Sequence, residues 1–297
     1  MLHTSRSATQ RRADFRQALN SGRLLQMPGA FTPLSARLIE RAGFAGVYVS
    51  GAVMSAELGL PDIGLTTLTE VAQRSGQIAR VTDLPVLVDA DTGFGEPLNV
   101  ARTVHVLEDA GVSALHLEDQ VNPKRCGHLD GKSVVDRESA RRRIAAAVRA
   151  RRDPDLVVVA RSDALAVEGF SSMLDRLKAY VDAGADAVFP EAVTSLEEYE
   201  RIRETLGVPV LANMTEFGKS ELFRADQLAS AGVSIAIYPV SLLRISMGAI
   251  ERALASLVEE GSLQSWVPQM QTRADLYEVL DYSAYNDYDE GIFNFEV

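Results

Sequence analysis

The sequence has little of several residue types, and each shortage excludes a class of protein. It contains a single cysteine, Cys126, among 297 residues, which excludes an intramolecular disulfide and suits a reducing compartment. It has no apolar run of membrane-spanning length, and its first residues lack the apolar core of a signal peptide. We therefore expect a cytoplasmic protein in which Cys126 serves either packing or reactivity.

Positive charge is also scarce. The chain has 30 lysines and arginines against 41 aspartates and glutamates, which gives a formal net charge of -11. That is the wrong sign for binding nucleic acid or an anionic membrane, so neither partner is expected. An acidic protein that binds an anionic small molecule needs a local source of positive charge, such as a metal ion or a few inward-facing arginines.

What is present is an alternation of short apolar runs with segments of helical period. The apolar runs are continuous, as expected for parallel strands that are buried on both faces. We predict strands at residues 24–30, 46–51, 85–90, 114–117, 156–160, 187–190, 209–212 and 234–238. We predict helices between them at residues 33–41, 68–80, 98–109, 137–149, 173–182 and 196–206.

The entries to the strands repeat in a way that supports this pattern. An Ala-Gly pair closes the helix before each even-numbered strand, and a proline precedes three of the odd-numbered ones. Eight such units predict an α/β fold that is a single (β/α)8 TIM-type barrel, with active-site residues at the carboxyl ends of the strands. The alternative is an open doubly wound sheet, but no glycine-rich dinucleotide-binding sequence follows the first strand.

We expect one domain over residues 1–297, with additional segments before and after the barrel in the sequence. Residues 1–12 are predicted to form a disordered arm, although residues 15–19 fit the start of a first helix. Residues 241–260 and 270–280 have helical period, and the tail beyond Asp281 has none. Helices that follow a complete barrel have to pack somewhere, and a neighbouring subunit is a suitable place.

Acidic residues follow three neighbouring elements. Asp89 and Asp91 close the third predicted strand, Glu118 closes the fourth, and Asp62 follows the second. Carboxylates that converge in this way repel one another unless a cation lies among them, and an all-oxygen set suits Mg²⁺. The alternative is that these acids cap helices, with Asp119 in the place of Glu118.

A complementary polar set follows the later strands. It consists of Arg161, Glu191, Asn213, Thr215 and Arg244. Because arginine offers a planar fork to carboxylates, a metal on one side and arginines on the other indicate a site for a small polycarboxylate. A salt bridge from Arg161 to a neighbouring acid is the alternative.

The loop after the fourth strand, residues 120–135, is long enough to be a lid. It contains KRCGH, so that Lys124, Arg125 and His128 surround Cys126 with potential positive charge. This environment lowers a thiol pKa and favours a reactive cysteine over a packing one. Tyr48 and the Ser50-Gly51 turn are weaker candidates.

These motifs resemble the isocitrate lyase and phosphoenolpyruvate mutase superfamily, and within it the 2-methylisocitrate lyase family. The similarity runs from about residue 15 to about residue 282. It is carried by the segments YVSG at 48–51, LGLPD at 58–62, VDADTGFG at 88–95, LEDQ with KRCGH at 117–128, ARSDALAVEG from 160, FPEA at 189, LANMTEFG from 211, YPVSLLR ending at 244 and MQTR ending at 273.

The resemblance implies cleavage of 2-methylisocitrate to pyruvate and succinate, a step of propionate catabolism in the methylcitrate cycle. It implies Mg²⁺, or Mn²⁺, at Asp89, Asp91 and Glu118, and Cys126 as the acid that protonates the succinate carbanion. Tyr48 and Asp62 are the candidate bases for the substrate hydroxyl. It also implies a homotetramer that exchanges C-terminal helices. The residues implied to contact the substrate are Ser50, Gly51, Ala52, Gly127, Arg161, Glu191, Asn213, Thr215, Arg244 and Arg273.

Several alternatives remain open at this point. A 2,3-dimethylmalate or isocitrate lyase would differ only in a methyl-sized pocket, which a sequence indicates poorly. Superfamily members that act on oxaloacetate or phosphonates share the acids but generally lack the cysteine loop. Ala52 stands where related sequences have a second glycine, and its methyl group is expected to narrow the keto-acid pocket. A non-catalytic barrel that binds a carboxylate is the least favoured reading.

Overall fold

The computed structural model describes residues 4–125, 127 and 131–293, which form an α/β barrel. All strand pairs are parallel. The strands are β1 (Leu25–Pro28), β2 (Val47–Val49), β3 (Val86–Asp89), β4 (Ala114–Glu118), β5 (Val157–Ser162), β6 (Ala187–Pro190), β7 (Leu211–Asn213) and β8 (Ile235–Tyr238). Each of the eight predicted strands is confirmed.

The strands close into a barrel. The ladders run in the orders β1-β8-β7 and β2-β3-β4-β5-β6. Single parallel bridges join the two groups, between Gly29 and Tyr48 on one side and between Val188 and Val210 on the other. The strand order is therefore circular, which excludes the open doubly wound sheet.

The helices surround this barrel. They are α1 (Ala8–Leu19), α2 (Pro33–Arg41), α3 (Gly51–Glu57), α4 (Leu68–Ala79), α5 (Pro97–Asp109), α6 (Arg137–Ala150), α7 (Leu165–Glu168), α8 (Phe170–Asp182), α9 (Leu196–Leu206), α10 (Ala225–Ser230), α11 (Ser241–Glu260), α12 (Arg273–Val279) and α13 (Tyr282–Phe293). A 3-10 helix spans Gln264–Gln269. The short helices α3, α7 and α10 were not predicted, because fewer than two turns give too little periodicity.

The core has two layers because successive side chains of a strand point to opposite faces of the sheet. Within the barrel, Met27, Tyr48, Leu87 and Phe189 are buried in one cluster. The intervening strand residues pack outward with the helices in a second, larger cluster. No helix in the described part of the chain is long and apolar enough to cross a membrane.

Helix α1 covers the amino-terminal end of the barrel and corrects the prediction of a disordered arm. It begins at Ala8 behind a capping box made by Ser7 and Gln10. Phe15 is buried in the barrel cluster. Arg12 is also buried and donates hydrogen bonds to the carbonyls of Val112 (2.9 Å) and Glu108 (2.6 Å). The arginines that suggested a flexible arm therefore anchor a helix from residue 8 onward.

The C-terminal region is helical throughout residues 273–293 apart from short turns. Helix α13 was not predicted. Its tyrosines and aspartates are mixed without a strong apolar stripe, so the sequence shows no clear helical period there. The long helix α11 buries no residue within the chain. It exposes large apolar side chains, among them Ile245 (68%), Leu254 (56%) and Val258 (86%). Such a surface is typical of a helix that packs on another molecule.

Candidate active site

A cleft opens at the carboxyl ends of the strands, where a TIM-type barrel places its chemistry. It brings together most of the residues predicted for the site, from elements that are far apart in the sequence. Of these, the cleft is lined by Tyr48, Ser50, Ala52, Asp62, Asp89, Gly127, Arg161, Glu191, Asn213, Thr215 and Arg244. It is also lined by Lys124, Phe189, Pro239 and Val240, which were not predicted as site residues.

The turn after β2 lies directly against the acids of β3. Ser50 is the residue before α3, and the amide of Gly51 donates a hydrogen bond to Oδ2 of Asp89 (3.2 Å). A Cβ at position 51 would lie 2.8 Å from that oxygen, so only glycine fits without a shift. Ala52 is placed on the cleft itself. The turn therefore presents backbone and small side chains to a ligand.

Asp89 and Asp91 form a coupled pair of buried carboxylates. The amide of Asp91 donates to Oδ1 of Asp89 (3.0 Å), and Asp91 has a left-handed backbone with φ of 46°. Burial raises the pKa of Asp91 to about 6, and the negative charge of Asp89 adds to that effect. Two acids in this arrangement are stabilised by any cation that binds beside them.

Glu118 ends β4 and faces the cleft side of the barrel. Its Oε2 lies 3.3 Å from Nε of Arg161, and burial raises the pKa of this carboxyl well above its usual range. Its Oε1 is buried without a hydrogen-bond partner among the described residues. Asp119, the alternative, instead accepts hydrogen bonds from Ser162 (2.7 Å) and Tyr180 (2.9 Å). Asp119 is therefore structural.

Asp89, Asp91 and Glu118 fit a hard divalent cation by donor chemistry. All three offer oxygen ligands, and the buried Oε1 of Glu118 lacks a donor in the described chain. The described His, Cys, Asp and Glu residues do not form a group of three or more already close enough to hold an ion. The acids would have to draw together, with retained waters, as Mg²⁺ sites commonly do.

Lys124 supplies positive charge to these acids and was missed as a site residue by the sequence analysis. Its Nζ lies 2.8 Å from Oδ1 of Asp91 and also bonds Asp62. Burial alone lowers the pKa of Lys124, but Asp91, Glu118 and the other acids outweigh it and raise the pKa above its ordinary value. The ammonium therefore stays charged and holds the loop to the acidic side of the cleft.

Arg161 lines the cleft and pairs with several buried acids. Its Nε donates to Oδ2 of Asp163 (2.9 Å) and its Nη2 to Oδ1 of the same carboxylate (3.1 Å). Glu191 lies 3.3 Å from Nη2, and the ring of Phe189 lies 5.1 Å below the guanidinium carbon. The alternative salt bridges are present, and Arg161 lines the cleft as well.

Arg244 lies at the mouth of the cleft, on the first turn of α11. Its Nη1 donates to the carbonyl of Glu216 (2.6 Å) and lies 3.4 Å from the hydroxyl of Thr215. Nearby, the side-chain amide of Asn213 donates a hydrogen bond to Oε1 of Glu191 (3.3 Å). These contacts hold one edge of the Arg244 guanidinium and orient it toward the cleft.

Tyr48 and His116 form a buried pair beneath the acids. The Tyr48 hydroxyl lies 2.8 Å from Nε2 of His116, and the rings stack. Burial, with Asp89 nearby, raises the pKa of Tyr48 well above its usual range, and burial lowers the pKa of His116 to about 4. Tyr48 therefore lines the cleft as a neutral phenol beside a neutral imidazole.

The two ends of the loop over residues 120–135 are hydrogen-bonded to each other. Gln120 and Val134 form an antiparallel bridge, and the side chain of Gln120 bonds both backbone groups of Arg125 (2.9 Å each). Gly127 lies on the cleft. Cys126 and His128 lie outside the described residues, so their predicted roles stay predictions. Arg273 is exposed at the start of α12, away from the described cleft of its own chain, and its role stays a prediction too.

Comparison with known proteins finds relatives that match nearly the whole chain. The family model described as phosphoenolpyruvate phosphomutase matches residues 15–258. The probable 2-methylisocitrate lyase 2 of Corynebacterium glutamicum is 60% identical over 287 residues, covering 97% of this chain and 94% of that protein. The 2-methylisocitrate lyase of Escherichia coli is 46% identical over 281 residues, covering 94% and 95%.

Among solved structures, 2,3-dimethylmalate lyase superposes with a TM-score of 0.88 at 37% identity, covering 99% of both chains. That protein is described as a member of the PEP mutase/isocitrate lyase superfamily.

Proposed function

Since the chain belongs to the phosphoenolpyruvate phosphomutase family of the PEP mutase/isocitrate lyase superfamily, we propose that it cleaves 2-methylisocitrate to pyruvate and succinate. It is a carbon-carbon lyase, and the methylcitrate cycle is the setting in which this reaction degrades propionate. The proposal is supported by relatives that carry the same activity in their names and match nearly the whole chain.

One observation carries the proposal. Asp89 lines a cleft that also presents Arg161 and Arg244, and the buried acids Asp91 and Glu118 contact cleft residues. A substrate with several carboxylates and a hydroxyl needs both a hard cation and guanidinium forks. A cleft with only one of the two would favour a simpler anion.

We assign Mg²⁺, with Mn²⁺ as an acceptable substitute, to Asp89, Asp91 and Glu118. A divalent ion held there supplies a Lewis acid for the hydroxyl and carboxylate oxygens of the substrate. Arg161, Arg244 and their partners hold the remaining carboxylates, and the turn at residues 50–52 holds the end that becomes pyruvate. Glu191, Asn213 and Thr215 complete that contact surface.

The chain's own residues then move two protons. The hydroxyl proton leaves to a base, the carbon-carbon bond breaks, and the electron pair remains on the succinate carbon. Asp62, which bonds Lys124 on the cleft, and Tyr48, which lines the cleft, are the two candidates for the base. We assign the second proton transfer, to the succinate carbon, to the thiol of Cys126. A thiol in this role requires a reducing compartment, which supports a cytoplasmic location.

Metal removal tests this assignment. Because the acids need a cation to bind the substrate, dialysis against EDTA should abolish pyruvate release from 2-methylisocitrate, and added Mg²⁺ or Mn²⁺ should restore it. Pyruvate is measured by coupling to lactate dehydrogenase. Full activity after EDTA treatment, verified by metal analysis, would show that no divalent ion takes part.

The exposed helix α11 supports a second proposal, that the protein is a homotetramer whose subunits exchange this helix. An apolar groove lies between α2 and the first turns of α11 of the same chain, lined by side chains that include Leu34, Leu38, Leu242 and Ile245. The groove and the exposed apolar face of α11 are complementary in chemistry. Exchange of α11 between subunits would bury both.

Oligomer mass tests the exchange. Light scattering on a size-exclusion column should give the mass of a tetramer for the whole chain. Leu254→Glu, which places a charge on the exposed face of α11, should shift the mass toward monomer, whereas Glu251→Gln should not. A tetramer that survives Leu254→Glu would show that α11 is not the element exchanged.

A further inference from the structure

Lys132 is a second buried lysine of the loop, and neither the cleft lining nor the proposed chemistry uses it. Its side chain is 2% exposed, although the loop around it lies at the protein surface. Burying an ammonium ion costs several kcal/mol unless partners compensate for the lost water. Lys132 has two such partners: Oδ1 of Asp163, at 2.9 Å, and the carbonyl oxygen of Gly127.

The first partner links Lys132 to the cleft. Asp163 is fully buried and accepts both hydrogen bonds from the guanidinium of Arg161. The backbone amide of Asp163 donates a hydrogen bond to Oδ1 of Asp119 (2.9 Å), and this bond fixes the position of Asp163. One carboxylate therefore holds two cations, one from the loop and one from the carboxylate-binding side of the cleft.

The second partner of Lys132, the carbonyl of Gly127, belongs to a residue that packs against Arg161. A Cβ at Gly127 would stand 2.4 Å from Nη2 of Arg161 and 2.6 Å from Cδ of Glu191. The backbone of Gly127 thus rests directly on these two cleft residues. Lys132, Gly127, Arg161 and Asp163 form a closed ring of contacts.

The two lysines of the loop hold opposite sides of the cleft. Lys124 pairs with Asp62 and Asp91 on the acidic side, and Lys132 pairs with Asp163 on the arginine side. If Gly127 moved away from Arg161, Lys132 would have to release either the Gly127 carbonyl or Asp163. Release of Asp163 would leave that carboxylate with one cation instead of two. The position of the loop and the position of Arg161 are coupled through this lysine.

We propose that Lys132 is a positioning residue that fixes the loop over the cleft and holds Asp163 and Arg161 in register with it. It does not touch the substrate. Its effect on turnover and the protection by pyruvate and succinate rest on the proposed function, whereas the alkylation rate of the free protein does not. The two are therefore measured separately.

The loop is measured through the lone thiol. Because Cys126 is the only cysteine and lies between Arg125 and Gly127 in the sequence, its rate of alkylation by iodoacetamide reports on the loop without added labels. Pyruvate and succinate together should slow alkylation in the wild-type protein. In Lys132→Met, alkylation should be faster by about tenfold or more, with most of that protection lost.

Turnover is measured in the same variants. Misplacement of Arg161 and the loop should lower kcat by about 100-fold in Lys132→Met. Lys132→Arg keeps a cation for Asp163 and should stay within about threefold of wild type in alkylation. Lys178→Met, which removes an exposed lysine from α8, is the matched control and should change neither quantity.

The outcomes separate the two proposals. Wild-type alkylation and protection in a folded Lys132→Met would overturn the positioning role, whatever the activity. Faster alkylation in Lys132→Met together with no lyase activity in the wild type would retain that role and reject the proposed reaction. Thermal unfolding of each variant shows whether it folds. If Lys132→Met does not fold, Lys132→Gln, which keeps a hydrogen-bond donor but no charge, replaces it. Wild-type alkylation of Lys132→Gln would overturn the role, and faster alkylation would support it.

Discussion

Cys126→Ser is expected to lower pyruvate release from 2-methylisocitrate by about 10²- to 10⁴-fold, the usual contribution of a positioned general acid. A serine hydroxyl is nearly the size of the thiol but a far weaker acid. It cannot protonate the succinate carbon at a useful rate near neutral pH. Because the chain has one cysteine, no other thiol can substitute for it.

The control for Cys126→Ser separates chemistry from binding. Isothermal titration should give unchanged Mg²⁺ affinity, because the acids assigned to the metal are on other elements. Ser133→Ala changes an exposed hydroxyl on the same loop and should keep full activity. Full activity in Cys126→Ser would mean that the proton comes from another group, and the acid assigned here would be wrong.

Arg161→Met is expected to lose both stability and activity. Removal of the guanidinium leaves Asp163, Glu118 and Glu191 buried near one another without their shared cation. Breaking a buried ion pair by removing one partner costs about 3–5 kcal/mol of unfolding free energy. Chemical denaturation should show an unfolding free energy lower by that amount, and kcat/KM should fall to background.

Arg161→Lys isolates the role of the planar fork. It keeps the charge, so most of the stability should remain. A lysine cannot make the two parallel hydrogen bonds to Asp163 while facing a substrate carboxylate. We expect kcat/KM to fall by about 100-fold, while Arg141→Lys on the exposed face of α6 stays at wild type. An unchanged KM and kcat in Arg161→Lys would remove Arg161 from the substrate site.

The barrel was predictable from the sequence because its strands are buried on both faces. Continuous apolar runs such as 187–190 have no other explanation at that length, and the Ala-Gly helix ends mark their starts. The errors fall where local composition and tertiary contacts disagree. Arg11 and Arg12 look like a solvated arm, yet they are buried against the carbonyls that α5 and its following turn leave open.

The cleft was predictable to the extent that strand ends identify it. Asp89 and Glu118 end their strands and Arg161 lies one residue before the end of its strand, so the fold brings them together. Lys124, Lys132 and His116 were not found as contributors. The two lysines lie in a loop rich in charge, where a solvated residue is the common outcome. His116 lies inside β4, and its sequence neighbours do not show that it reaches Tyr48.

The buried acids in and around the cleft outnumber the buried cations, and this imbalance favours the binding of added cations. The buried acids Asp89, Asp91, Glu118, Asp163 and Glu191 outnumber the buried cations Lys124, Lys132 and Arg161. A buried carboxylate without a partner is costly, so the site gains from each added cation. The proposed divalent ion would supply part of that charge, and Lys124 and Lys132 supply charge from the loop.

The preference among substrates tests the central claim most directly. With Mg²⁺ present, kcat/KM is measured for 2-methylisocitrate, isocitrate and 2,3-dimethylmalate, and the products are identified by chromatography. A methyl-sized difference in a pocket is worth about 10- to 200-fold. The account predicts that 2-methylisocitrate has the highest kcat/KM by at least this lower bound, with pyruvate and succinate formed in equal amounts. A higher kcat/KM for either of the other two acids, or no cleavage of 2-methylisocitrate, would contradict it.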